Sequence, residues 1–523
     1  MAKGLLKSSA VVSAMTMISR VLGLLRDILL ARFIGADDNA DAFFVAFKVP
    51  QFLRRLFAEG AFNQAFVPVM SDIKQQRGDQ AVKALVDRVA ASLGSSVFLV
   101  VSLVVVGAPW FVYLVAFGFS DQPAKLALTT DLMRITFPYL FFITITGLFS
   151  SILNSYQRFA VPAITPVILN LCLIAGIVWL SPQFEKPVYA LAIAVFVAGL
   201  LQMLFQIPSL HKIGMVPKPK WDWHDNGVQR VIKLMLPAIF GVSVSQINLL
   251  LDTLIATFLP GGSVSWLYFS DRLAELPLGV FAIAIATVIL PSLSRNHSDK
   301  SAEEFNATMN WAVVLVLLIA LPAATALIVL GEPILATLFL YGEMTAFDIK
   351  MASFSLTAYS LGLTAFMLIK VLAPGYFSRQ DTKTPVKIGI YAMVANMGFN
   401  VLFVVPLHSY WQLGHVGLAL ATAASAFLNA YLLYRGLVKN GVLRIRKLCG
   451  AIVFKTVVAS CLMALALVMA GSFYSNIADY STLHRIGLVM ALCIGGFAIF
   501  AFSLLILGLR PNQLRISAYQ AAN

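Results

Sequence analysis

Arginine, lysine and carboxylate residues recur inside stretches of this chain that are otherwise apolar enough for lipid. The stretch 10–34 holds Arg20, Arg26, Asp27 and Arg32, and 42–69 holds Lys48, Arg54, Arg55 and Glu59. Asp252 lies in 231–259, Asp271, Arg272 and Glu275 in 264–290, and Lys370 in 354–373. A charge at the centre of a spanning helix costs about 2.5–3.5 kcal/mol on insertion scales, so this set facing acyl chains would cost on the order of 20 kcal/mol or more. These groups must face water or one another. Helical spacing sorts them: Arg20 and Asp27, seven apart, share a face, Arg55–Glu59 and Asp271–Glu275 are four apart, and Arg272–Glu275 three apart. Arg26 and Arg54 have no acid at such a spacing. A guanidinium in that position suits a phosphate, because its planar fork donates bidentately. The chemistry implied for Arg20, Arg26, Arg54 and Arg272 is recognition of an anionic head group.

Other groups carry two readings. Arg32, at a helix end, and Lys370 fit side chains that snorkel to head groups. Asp271 and Glu275 fit either proton or cation sites or counter-charges that hold the arginines. Asp252, Asn396 and Asn400 offer hard oxygen ligands for a sodium ion, yet an intramembrane Asn also serves to bond a neighbouring helix. Pro50, Pro277, Gly23, Gly60 and Gly279 punctuate the charged stretches. They fit hinges beside a binding cavity or ordinary Pro bends. Catalysis is not indicated: there is no acidic metal motif, HExxH or GxSxG, and His211, His224, His297, His408, His415 and His484 lie in or beside loops.

The elements that must position these groups follow from composition. Of 523 residues, 59% are hydrophobic and 12% charged, well beyond a soluble domain. Apolar runs of spanning length give about fourteen helices: 10–34, 42–69, 89–116, 132–153, 161–180, 188–207, 231–259, 264–290, 311–330, 354–373, 386–405, 416–434, 452–473 and 486–509. The net charge of +14 sits largely in short connections, so it sets topology rather than binding nucleic acid. Cys172, Cys449, Cys461 and Cys493 show no CxxC spacing and indicate neither a disulfide framework nor a zinc site. The opening run continues to Ile34 with charges inside it, which predicts a retained helix rather than a cleaved signal.

Alternate connections carry the Lys and Arg excess, from Lys74, Arg77, Lys83 and Arg88 through Lys212, Lys218, Lys220 and Arg230 to Arg435, Lys439, Arg444, Arg446 and Lys447. The positive-inside rule then puts both termini in the cytoplasm. An offset of about 225 residues recurs: RDILLARF around Asp27 matches LDTLIATF around Asp252, Pro68 matches Pro291 and Pro162 matches Pro385. An offset of six helices, an even number, keeps equivalent helices in one orientation, so the halves are expected to be related by a pseudo-two-fold along the membrane normal. The expected fold is therefore an all-α integral membrane protein: a lobe at 1–225, a second at 226–445, and two further helices at 446–523.

The stretch SRVLGLLRD at Ser19–Asp27, with ADAFFVAFKVPQFLRRLFAEGAFNQAFVPV, GSVSWLYFSDRLAELPLGVF and KVLAPGYFSRQDTKTPVK, resembles the MurJ (MviN) family of the multidrug/oligosaccharidyl-lipid/polysaccharide exporter superfamily. The similarity covers the whole chain. It implies a flippase that moves lipid II, an undecaprenyl-diphosphate-linked disaccharide-pentapeptide, from the cytoplasmic to the outer leaflet of the bacterial inner membrane. The family's cavity arginines fall on Arg20, Arg26, Arg54 and Arg272. Lys48, Ser265 and Lys370 join them as substrate-binding positions, while Asp27, Asp41, Arg55, Glu59, Asp271 and Glu275 are expected to gate or pair charge. The last two helices would form a groove for the polyprenyl tail. The family's sodium site maps onto Asp252, Asn396 and Asn400, without an acid at Asn400. No cofactor is expected beyond a coupling monovalent cation or the membrane potential. The expected partners are lipid II, membrane lipid and proteins of cell-wall synthesis, and the expected unit is a monomer.

Competing functions are a drug exporter of the same superfamily, which midplane arginines would disfavour by repelling organic cations, and a flippase for another polyprenyl-diphosphate glycan, which the resemblance alone disfavours. An intramembrane polyprenyl-phosphate transferase would add an acidic pair for Mg²⁺ or a nucleophile and base.

Overall fold

A backbone inside lipid has to satisfy its own hydrogen bonds, and the described chain does so with helices throughout. The structure, a computed structural model, describes residues 2–55, 62–298, 301–472 and 477–521, and no strand occurs among them. Eleven helical segments there are long and apolar enough to cross a membrane: Phe62–Val106, Pro123–Ser155, Ala160–Gln183, Val188–Lys212, Ser263–Arg295, Ala302–Phe339, Ala346–Phe377, Lys383–Trp411, Gly414–Lys439, Lys447–Gly471 and Thr482–Ile506. The protein is a multi-pass membrane protein. Three expected spans fall outside this set. Helix α1 (Ala2–Phe33) carries the arginines, α2 (Asp38–Arg54) has 17 residues, and α9 (Asn226–Ala256) contributes only a shorter apolar stretch, Gln246–Ala256.

The chain divides into two compact units, one running to Ser265 with Tyr341–Glu343 added, the other comprising Trp266–Leu340 and Met344 onward. In the first, α1 packs along α7 (Ala160–Ala175), which packs on α8 (Val188–Lys212). Helix α3 (Phe62–Val106) meets α6 (Tyr139–Ser155) and α9, and α2 meets α5 (Pro123–Thr136). Its core joins Phe62, Phe66 and Met70 of α3 to Leu148 and Ile152 of α6, with Val228 and Val231 of α9. Helix α3 is interrupted at Gly78, whose φ of 74° is open to glycine without strain. A short helix, α4 (Ala108–Val115), follows it.

In the second unit, α12 (Ala302–Phe339) is buried on two faces, which is why so long a helix is apolar nearly all round. One face sets Met309, Ala312 and Val316 against Leu363 and Met367 of α13 (Ala346–Phe377) and Leu433 of α15 (Gly414–Lys439). The other sets Ala307 and Val314 against Ile452 and Met463 of α16 (Lys447–Gly471) and Phe500 of α17 (Thr482–Ile506). Small residues let helices close: a Cβ on Gly362 of α13 would lie 2.7 Å from the Ala423 methyl of α15. Helix α14 (Lys383–Trp411) packs on α15. Helix α10 (Ser263–Pro277) passes at its proline into a π-helical turn, Leu278–Ala282, before α11 (Ile283–Ser298), so Pro277 does break helical regularity beside Glu275.

Candidate substrate-binding site

In the first unit the Arg26 side chain is held from two sides. Its Nε and Nη2 donate to Asp27 Oδ1 at 2.9 and 2.7 Å, and its Nη1 donates to Asn170 Oδ1 at 3.0 Å. Asn170 in turn donates to the Ser19 carbonyl at 2.9 Å, tying α7 to α1. Arg26 and Asp27 are both buried. Helical spacing assigns Arg26 no in-helix acid, because it considers residues three or four apart. The structure corrects this: a guanidinium is long enough to fold back onto the adjacent carboxylate. Arg20 and Arg54 sit half-buried on α1 and α2, as do Lys48 of α2 and Arg55, the residue that follows its end. Glu59, the acid expected to pair with Arg55, lies outside the described residues.

Asp41 is 1% exposed and receives four hydrogen bonds, from Gly262 N at 2.8 Å, Ser265 N at 2.9 Å, Ser265 Oγ at 2.6 Å and Lys125 Nζ at 3.4 Å. It thereby caps the start of α10, a favourable place for a carboxylate because the first helical N–H groups have no partners of their own. Gly262 has a φ of 90°, and only that left-handed turn aims its N–H at the carboxylate. Lys125 of α5 completes the cluster, with Nζ 2.7 Å from Asp38 Oδ1 and 3.4 Å from Asp41 Oδ2. Its ammonium lies 4.2 Å from the centre of the Phe119 ring. Ser265, expected to touch substrate, is here fully buried in this latch.

In the second unit Arg272 is half-exposed. Its guanidinium lies over the Tyr268 ring at 5.1 Å, donates to the Tyr268 hydroxyl at 3.4 Å and stands 3.8 Å from Glu275 Oε2. The aromatic face and the acid hold the charge while leaving part of the fork towards solvent. Asp271 is half-buried and Lys370 of α13 exposed. Beyond Ser265, α10 is fixed to α13 by Trp266 Nε1 donating to Asp348 Oδ1 at 2.9 Å and Ser270 Oγ donating to the Ala352 carbonyl at 2.7 Å.

The candidate cation ligands have protein partners. Asn400 Nδ2 donates to Asn396 Oδ1 at 3.0 Å, Asn396 Nδ2 reaches Ser425 Oγ on α15 at 3.4 Å, and Asn248 Nδ2 donates to Asp252 Oδ2 at 3.3 Å. Among the described residues no group of three or more His, Cys, Asp or Glu side chains could hold a metal ion.

Sequence reasoning missed Asn170, Lys125, Tyr268 and the Trp266–Asp348 pair. Asn170 had a signal, being the one carboxamide in the span 161–180. Tyr268 stands four residues before Arg272, a spacing that brings side chains together. Lys125 gave none, its partner Asp41 lying 84 positions away, and Asp348 showed only its capping box with Thr345, not the bond from Trp266, 82 positions away.

The comparisons with known proteins agree with one another. The family model described as lipid II flippase MurJ matches residues 30–489. A probable lipid II flippase MurJ from Vibrio cholerae is 48% identical over 522 residues, 98% of each chain. One from Haemophilus influenzae is 46% identical over 513 residues, 96% of this chain and 99% of the relative. Among solved structures, a lipid II flippase MurJ in an inward closed conformation superposes with a TM-score of 0.77 at 27% identity, covering 94% of this chain and 99% of the other. A multidrug resistance MATE transporter of the MOP superfamily, at 15% identity and a TM-score of 0.65 over 83% of this chain and 98% of its own, shares the fold alone. By the extent of the family match and the identity to these relatives, the chain belongs to the lipid II flippase MurJ family.

Proposed function

We propose that this chain carries lipid II from the cytoplasmic to the outer leaflet of the inner membrane by alternating access. In this reading fourteen helices form two lobes, 1–225 and 226–445, related by a pseudo-two-fold along the membrane normal, with both termini cytoplasmic. The helices of 446–523 guide the polyprenyl tail. Arg20, Arg26, Arg54 and Arg272 bind the diphosphate, with Lys48 and Lys370 adding charge, and Ser265 exchanges its bond to Asp41 for one to the head group. Asp27, Asp41, Arg55, Glu59, Asp271 and Glu275 are the counter-charges exchanged as the site opens and closes. The carrying observation is that α1 and α2 hold cations, Arg20, Arg26, Lys48 and Arg54, that lipid would reject. The coupling force is a monovalent cation at Asp252, Asn396 and Asn400 or the membrane potential acting on the charged head.

The test is leaflet-resolved movement of labelled lipid II in vesicles carrying the intact chain or Arg20→Ala, Arg26→Ala or Arg272→Ala. Translocation by the intact chain and its loss in all three variants is expected. Normal transport by the variants would remove the arginines from the mechanism.

A further inference from the structure

A narrow cleft opens within the first unit where α2 packs on α9. Lys48, Gln51, Phe52 and Arg55 line it from α2, at the three- and four-residue spacing that puts side chains on one helical face. Gln246, Leu249 and Leu250 line it from α9 at the same spacing. Among the described lining residues there are two cations, two carboxamides and no acid. The carboxamides of Gln51 and Gln246 are half-buried, and no hydrogen bond from either to another described side chain or backbone group satisfies them. A primary carboxamide offers an N–H donor and a carbonyl acceptor side by side. An acetamido group offers the complementary pair, an acceptor beside a donor, so the two match edge to edge as a phosphate oxygen and a guanidinium do. The apolar walls of Phe52, Leu249 and Leu250 suit the acetyl methyl.

We infer that this cleft is a specificity subsite that reads an N-acetylated sugar adjoining the diphosphate, with Gln51 and Gln246 pairing to the acetamido group. The inference rests on the translocation reading above and adds to it the two residues that separate a glycan-bearing polyprenyl diphosphate from a bare one. A site built to hydrogen-bond a polar substituent rejects the ligand that lacks it, because its own polar groups lose their partner.

The experiment measures binding of lipid II and of undecaprenyl diphosphate, which shares tail and diphosphate but has no sugar, to the purified full chain and its variants. Gln51→Leu and Gln246→Leu are expected each to weaken lipid II binding about three- to ten-fold, the size of one or two lost hydrogen bonds, and to leave undecaprenyl diphosphate within two-fold. Gln246→Met, uncharged, of similar length and without the amide donor and acceptor, covers the case in which a leucine variant fails to fold, and is expected to lose the same discrimination. Equal affinities of intact protein and variants for lipid II, or equal weakening of both ligands, would overturn the subsite. Failure of the arginine reading shows separately, as Arg54→Ala without effect on either ligand.

Discussion

Replacing Asp41 by Asn should loosen the start of α10 without disturbing the rest of the fold. The carboxylate accepts from Ser265 N and Ser265 Oγ through one oxygen and from Gly262 N through the other. An asparagine can keep its carbonyl towards Ser265, but its NH₂ then meets the Gly262 N–H and the Lys125 ammonium, which are also donors. One buried N–H loses its acceptor, at about 1–3 kcal/mol, and the two remaining bonds lose the extra strength of an ionised acceptor. The sum is about 3 kcal/mol, or roughly a hundred-fold in the local opening equilibrium. Ser265→Ala removes a single charge-assisted bond and leaves both backbone donors satisfied, about 1.5 kcal/mol and roughly ten-fold. Hydrogen exchange of a peptide spanning Gly262–Ser270 reads both, where exchange follows the opening equilibrium. In the Asp41→Asn background Ser265→Ala should cost less than it does alone, since the two residues share one interaction. Equal acceleration by the two single variants, or less than two-fold by either, would refute the latch.

Three further outcomes are expected. Asn170→Leu takes one acceptor from the buried Arg26 guanidinium and should lower unfolding stability by about 1.5–3 kcal/mol, measured by denaturant titration in detergent. Arg485→Leu removes a buried side chain of α17 that donates to the carbonyls of Ala336 and Leu340 at the end of α12, at 3.0 and 3.3 Å. It should lower the melting temperature while lipid II movement per folded molecule stays unchanged. Asp381, in the connection before α14, has its carboxyl held below the usual carboxylate range by hydrogen bonding to Thr384, including Thr384 N donating at 3.0 Å. A lowered value means stabilisation present above the unfolded carboxyl's ordinary range and lost as pH falls through the folded value. The melting-temperature difference between intact protein and Asp381→Asn should thus shrink on acidification below about pH 4.

Most of the fold was legible because lipid imposes one solution, the apolar helix, and apolar runs are visible in a sequence. What the runs hid were helices that continue past their apolar stretches. The span read as 42–69 is expected to end there, yet α3 carries on through the polar stretch after Val69 as far as its interruption at Gly78, because helix formation needs backbone geometry and not apolar side chains. Helix α12 likewise begins at Ala302, ahead of the apolar run from 311, with Glu303 and Glu304 in its first turn where the helix dipole favours acids.

The charged residues themselves were legible from their cost in lipid, whereas their partners were not, because these come from other helices: Arg26 and Asn170 are 144 positions apart, and Asp41 and Ser265 are 224 apart. That difference bears on what the site can bind. Arg26 already has a carboxylate and a carboxamide, so a ligand that takes its guanidinium has to replace Asp27 at two N–H donors. A neutral glycan offers no charge to set against that loss. A diphosphate brings several anionic oxygens, can accept bidentately, and engages further cations at the same time, so the exchange becomes favourable only for a ligand that meets more than one arginine. In the proposed reading, where Arg26 binds the head group, selectivity for the polyprenyl-diphosphate class follows from the Arg26–Asp27 pair. Asp27→Asn, which weakens the competitor while keeping its shape, should raise affinity for undecaprenyl diphosphate in the binding assay, and an unchanged or lower affinity would show that Asp27 does not compete with the ligand.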